Sequence, residues 1–184
     1  MPSDTVTTTD LPQHFLDETV ALFRKQKTLA ERAMRQLNEA QLFAVIDPEA
    51  NSIAVIVKHM RGNMRSRWTD FLTSDGEKPD RHRDDEFIAP DEQSRALVMT
   101  WWEEGWAYVF DALTALRSDD VSARVRIRGE VMSVLTAILR QLDHYGQHVG
   151  QIVFLAKHLA GRSWTSLSIP RGKSEEFNQK MAGR

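Results

Sequence analysis

Residues Glu130 to Leu159 read EVMSVLTAILRQLDHYGQHVGQIVFLAKHL. Within them Val131, Leu135, Ile138, Leu142, Tyr145, Val149, Ile152, Ala156 and Leu159 alternate spacings of four and three without a break. Such a 3.5-residue seam buries one side of a helix against neighbouring helices, so one long helix is expected here. Gly161 stands where a C-terminal glycine cap belongs.

The flanking sequence extends the helical reading. Immediately upstream, Ala123 to Arg128 (ARVRIR) alternates apolar and basic residues, the pattern of a short extended piece. Ser118-Asp119-Asp120 reads as a turn. A third helix is expected over residues 91–116, with Val98, Trp102, Trp106, Val109, Leu113 and Leu116 as its stripe. Its tryptophans fit core or subunit-interface bulk better than a cofactor box. Residues 74–90 (SDGEKPDRHRDDEFIAP) form a charged linker, long for a connection inside one domain. A second helix is expected over 52–72, striped by Ile53, Val57, Met60, Met64, Trp68 and Phe71. A first is expected over 11–37, with Asp10 as N-cap, Pro12 in its first turn and Phe15, Leu22, Leu29, Ala33 and Leu37 as its stripe. After Gly161, Pro170 and Gly172 mark a loop, and a short helix follows Ser174. The expected fold is all-α, a four-helix bundle with a short extended segment before the fourth helix. Residues 1–10 form a flexible N-terminal tail and 11–184 a single domain.

Composition narrows the function. The chain of 184 residues carries 24 Lys and Arg against 26 Asp and Glu, a net charge of −2. That balance gives no global pull toward nucleic acid or anionic membrane. There is no cysteine, which removes disulfides, thiolate nucleophiles and every metal site that needs protein sulfur. The N-terminal MPSDTVTTTD lacks the apolar stretch of a signal peptide, and no run of 18 apolar residues spans a membrane. A cytoplasmic location is expected.

The histidines carry the chemistry. His14, His82 and His158 read as structural or surface residues. His144 and His148 lie four apart on the most strongly patterned helix, so their rings stack on one side, at the flank of the seam with Ala137 and Leu155. Two partly buried imidazoles would repel if both were protonated; a shared cation binds both as neutral ligands. The intervening residues, Tyr145-Gly146-Gln147, include no Glu, so the metalloprotease pattern with its general base is absent. His59 is the natural third ligand, because an unsatisfied imidazole inside the apolar second helix would be costly. Three neutral nitrogens leave coordination positions open, as in a catalytic rather than a structural site. Zn²⁺, Ni²⁺ or Fe²⁺ would each suit imidazole. Asn63, one turn beyond His59, and Gln151, one turn beyond His148, are placed to orient a ligand or polarise substrate.

The segment His144 to Ile152 (HYGQHVGQI), the His59 helix and the Trp-rich third helix resemble the DinB-like superfamily. Residues 51–70 (NSIAVIVKHMRGNMRSRWTD), 75–79 (DGEKP), 83–87 (RDDEF) and 168–172 (SIPRG) resemble, more narrowly, its DUF1572 subfamily of unknown function. The resemblance covers residues 15–178. It implies an up-down-down-up four-helix bundle, often dimeric, with a divalent metal on three histidines that map to His59, His144 and His148. It also implies kinship with transferases and isomerases that use low-molecular-weight thiols such as bacillithiol or mycothiol. Two functions follow as expectations. One is a metal-dependent transferase or hydrolase acting on a small molecule, in a homodimer that binds neither nucleic acid nor membrane. The other is a non-catalytic, stress-related dimeric module that binds a metal or ligand. The charged linker, with Arg81, Arg83, Asp84, Asp85 and Glu86, is placed to close over the mouth of the site.

Overall fold

The structure, a computed structural model, describes residues 10–183. The sequence reading of residues 1–9 as part of a flexible tail lies outside them. Four long helices share one core: α1 (Leu11–Met34), α3 (Ile53–Trp68), α4 (Arg95–Ala115) and α5 (Val134–Ala160). Three smaller elements accompany them: α2 (Glu39–Phe43), a hairpin of β1 (Arg124–Ile127) and β2 (Glu130–Ser133), and α6 (Ser174–Ala182). The chain is therefore mostly helical with a small antiparallel sheet. Among the described residues no helix is long and apolar enough to cross a membrane.

Serine side chains cap three of the four long helices, whereas Asp10, the expected cap of α1, makes no cap hydrogen bond and accepts instead from Ser118 Oγ. Ser52, Ser94 and Ser133 each accept a hydrogen bond from the backbone N–H three residues on, from Val55, Leu97 and Thr136. The Ser133 cap corrects the expected start of the fourth helix at Glu130. Arg128 and Gly129 take positive φ (56° and 76°), the geometry of a two-residue hairpin turn. Glu130–Ser133 therefore folds back on Arg124–Ile127 as a second strand, which the sequence reading did not supply. Val131 and Leu135, the first two residues of the expected seam, are exposed as a result.

The stripe of α1 is also corrected. Leu22 and Leu29 face outward, and the buried face is Leu16, Thr19, Phe23, Ala30, Ala33 and Met34. The helix carries apolar residues on two faces, and the wider aromatic ring decides which one is buried. Phe23 packs edge-on against Trp68 and Trp106, with ring centroids 6.1 and 5.9 Å away, and against Tyr145 at 5.9 Å. Full burial of such a ring contributes about 1.5–3 kcal/mol. In α3 and α4 the expected stripes are buried, apart from Phe71, which lies beyond the end of α3 and is partly covered.

Tyr145 is the hub that sets the register of α5. Its hydroxyl accepts from Trp68 Nε1 (3.0 Å) and donates to Asn63 Oδ1 (3.0 Å), both on α3. Asn63 lies one turn after His59 and Tyr145 directly after His144, so this buried pair of bonds brings the His59 face of α3 against the His144–His148 face of α5.

Residues 74–90 are not a free linker. The Asp75 carboxylate accepts from the backbone N–H of Glu77, Arg128 and Gly129 at 2.7–2.8 Å, tying the segment to the hairpin. Ser66 Oγ on α3 donates to Gly76 O and accepts from Lys78 N. Lys58 Nζ donates to the carbonyls of Asp85 and Ile88. The segment is strapped along α3 and delivers a 3₁₀ turn, Asp84–Phe87, beside His59.

Candidate metal centre

His59, His144 and His148 come together, with one ligand atom from each within 4.8 Å of the others. His14, His82 and His158 are exposed. The ring centroid of His59 lies 5.6 Å from that of His144 and 4.9 Å from that of His148. His144 and His148 turn Nε2 toward Nε2 at 3.1 Å, with their rings nearly perpendicular. That spacing is close to the ~3.3 Å edge between two nitrogens each held about 2.0–2.1 Å from one tetrahedral ion.

The tautomers of His148 and His59 are each set by an outer partner. Gln151 Oε1 lies 2.8 Å from His148 Nδ1, so Nδ1–H donates there and Nε2 keeps a lone pair. His59 Nδ1 lies 2.8 Å from Glu86 Oε2, so its hydrogen goes to the carboxylate and its Nε2 lone pair is left for the site. A carboxylate behind a histidine fixes its ring and raises its basicity toward a metal. Phe87 stacks on the other side of the His59 ring at 4.8 Å.

Glu86 does not stand alone. Arg81 donates to it twice, through Nε (2.8 Å) and Nη2 (3.0 Å), and Arg81 also meets Glu77 at 3.4 Å. Glu77 in turn accepts from Arg67 (3.0 Å) and Arg128 (2.8 Å). Burial pushes the Glu86 carboxyl up, but the His59 and Arg81 hydrogen bonds and the Arg81 charge outweigh it and hold it below the usual range. It is therefore an anion at neutral pH, buried and doubly held. On the α5 side, burial, then the neighbouring His148 and His59 rings and the Arg67 and Arg81 charges, lower His144 from 6.5 to about 3. Burial likewise lowers His148. Both imidazoles are neutral at physiological pH, the form a metal requires.

A half-open cavity of about 320 Å³ opens on His59 and His144. Its wall includes Asn63, whose Oδ1 is held by Tyr145, and Gln141, one turn before His144. Of the two polar residues singled out by spacing, Gln151 touches His148 directly, whereas Asn63 reaches the site through Tyr145 and the cavity wall.

The family model described as protein of unknown function (DUF1572) matches residues 10–173. The chain belongs to that family. No curated protein and no solved structure matches it. Three of the four segments by which the sequence resembles DUF1572 build the site's surroundings, whereas residues 168–172 lie in the loop before α6 and do not line the cavity. Residues 51–70 bear His59 and Asn63, 75–79 supply the Asp75 anchor and Glu77, and 83–87 supply Glu86 and Phe87.

Sequence reasoning placed Glu86 in a charged linker over the mouth of the site and did not pair it with His59. No periodicity locates a residue on an irregular strap. A usable signal was local: Glu86 is followed by Phe87, an aromatic residue at the end of the charge run, and that ring packs on His59 while Ile88 stays exposed. Gln141 was missed too. It lies three residues before His144, a spacing that puts it on the same helix flank.

Proposed function

We propose that this DUF1572 chain is a metal-dependent enzyme of the DinB-like superfamily, acting on a small molecule. The observation that carries the reading is the meeting of three imidazoles from two helices beside a cavity that His59 and His144 line, each of the two whose tautomer is fixed keeping its Nε2 lone pair inward. His59, His144 and His148 would hold a divalent ion, Zn²⁺, Ni²⁺ or Fe²⁺, and the donor set, three imidazole nitrogens, fits such an ion. When bound, the ion would lower the pKa of a water or thiol in an open position and supply it as a nucleophile.

The chain's own residues do the rest. Glu86 holds the His59 ring in one tautomer, and Gln151 does the same for His148. Arg81 keeps Glu86 ionised and in place. Phe87 and the strap around it cover the ring from solvent. With no cysteine in the chain, the thiol that the resemblance implies enters as a low-molecular-weight compound such as bacillithiol or mycothiol. The same resemblance leads us to assign an up-down-down-up bundle and a homodimer, and the composition of the sequence a cytoplasmic location.

The test compares metal-loaded with chelator-stripped protein in thiol-dependent conversion of electrophiles, with glutathione, bacillithiol and mycothiol, and in simple hydrolyses. Turnover that appears with the metal and disappears on stripping is the expected result. Silence in every assay, together with unfolding when the metal is removed, would instead make the ion a structural staple and the chain a non-catalytic module.

A further inference from the structure

The cavity beside the histidines is cationic. Arg67, Arg81, Arg83, Arg128 and Arg140 all line it, and Asp143 is the single carboxylate of its wall. Behind the wall Glu77 and Glu86 partly offset Arg67, Arg81 and Arg128. Five guanidiniums thus face three carboxylates, and the cavity keeps a positive surplus before any divalent ion adds to it. In a chain whose net charge is −2, that concentration is a local feature of the cavity wall.

The arginines are not equivalent. The Arg67 and Arg81 side chains are about 95% buried and locked on Glu77, Glu86 and the Gly76 carbonyl. They set the field. Arg83 and Arg140 are half-exposed, and among the described residues their guanidiniums make no hydrogen bond. Their nearest acids, Asp84 at 3.8 Å and Glu130 at 3.9 Å, are not cavity residues and are largely solvated. The Arg83 guanidinium lies over the Phe87 ring at 4.9 Å, a contact through its face that uses none of its N–H donors; two planar donor forks without a hydrogen bond at one cavity are the chemistry that binds carboxylate or phosphate bidentately. Gln141 adds an independent observation. It is 97% buried in the same wall, and its Oε1 has no hydrogen-bond partner among the described residues. A buried amide oxygen without a partner is costly, so a ligand donor there would satisfy it.

We propose that the natural ligand of this cavity is a small molecule bearing an oxyanion group, phosphate or carboxylate, that docks on Arg83 and Arg140 and donates a hydrogen bond to Gln141. The inference rests on the metal-centre reading only for what lies beside the docked ligand; the anion site itself belongs to the arginines. The cavity is at the small end of ligand sites, which run from about 300 to 1,000 Å³, and so suits a metabolite rather than a polymer. Arg83 lies on the strap and Arg140 on α5, so an anion between them would also tie the strap to the bundle.

The test titrates inorganic phosphate and, separately, malonate into the full chain by calorimetry, both metal-free and metal-loaded. Saturable binding of at least one probe to metal-free protein, weakened by added salt, is expected. Phosphate alone would mark a phosphorylated ligand and malonate alone a carboxylate; either supports the proposal. The double variant Arg83→Gln/Arg140→Gln, altered only at half-exposed positions, should bind the anion about tenfold or more weakly while keeping wild-type metal content. His59→Ala should lose metal and still bind the anion, which separates failure of the metal reading from failure of this one. No saturable binding of either probe in either form would overturn the proposal, as would binding that the arginine substitutions leave unchanged.

Discussion

Gly62 gives the sharpest structural prediction, because one added methyl group should reverse the usual sign of a helical substitution. In the interior of a helix, Gly→Ala ordinarily stabilises by about 1 kcal/mol. At Gly62 on α3 a Cβ would lie 2.1 Å from Glu86 Oε1 and 2.6 Å from its Cδ. The carboxylate cannot swing aside freely, since His59 holds it at 2.8 Å and Arg81 at 2.8 and 3.0 Å. Forcing the methyl in costs about 1–3 kcal/mol of overpacking, and loss of a charge-assisted hydrogen bond adds about 1.5–3 kcal/mol. Set against the helix gain, Gly62→Ala should destabilise the metal-free protein by about 1.5–5 kcal/mol. With Glu86 displaced, His59 loses its outer partner and metal affinity should fall about 10–100-fold. Urea denaturation reads the first effect and chelator competition the second. Gly150→Ala is the control: it lies on α5 with nothing within 4 Å of an added Cβ and should be neutral or slightly stabilising. A Gly62→Ala protein as stable as wild type, with unchanged metal affinity, would refute the role assigned to Glu86.

The same structure makes other commitments. Tyr145→Phe strands Trp68 Nε1–H and Asn63 Oδ1 in the core; it should cost about 2–4 kcal/mol in a denaturation curve and loosen the histidine cluster, seen as weaker metal binding. Asp75→Ala removes the acceptor of three backbone N–H groups and should cost about 1–3 kcal/mol, with hydrogen exchange rising first in residues 74–90. The metal-free protein should also lose stability in acid. Burial first, and nearby positive groups second, lower His144 from 6.5 to about 3, and His148 is lowered too. The unfolded chain therefore binds more protons than the folded one between those values, so this contribution is intact above pH 6.5 and erodes as pH falls toward 3. A urea midpoint that rose across that window would contradict the burial of these rings.

How far the sequence could be read depended on whether periodicity applied. The long helices and the buried stripes of α3 and α4 were legible because a helix that packs on one side must repeat its apolar residues every three or four positions. The His144–His148 pair was legible for the same reason, and His59 because a polar ring inside IAVIV-type sequence demands an explanation. Where two faces competed, as on α1, spacing alone chose Leu22 and Leu29, and the buried ring of Phe23 decided otherwise. The second strand of the hairpin was hidden because Val131 and Leu135 continue the helical spacing of α5, and only the turn geometry at Arg128 and Gly129 separates them. The strap was least legible of all. Its residues are placed by single hydrogen bonds, Asp75 to the hairpin and Glu86 to His59, which leave no repeating signature in the chain.

The central claim is that His59, His144 and His148 share one divalent ion. Its most direct test is metal per chain, measured by elemental analysis on untagged protein purified without chelator. The same measurement is made on His59→Ala, His144→Ala and His148→Ala. Wild type should carry about one ion per chain, as one three-nitrogen site requires, and each variant should fall far below it while keeping its helical circular dichroism. Substoichiometric metal in the wild type, at a level that the three substitutions leave unchanged, would contradict the account.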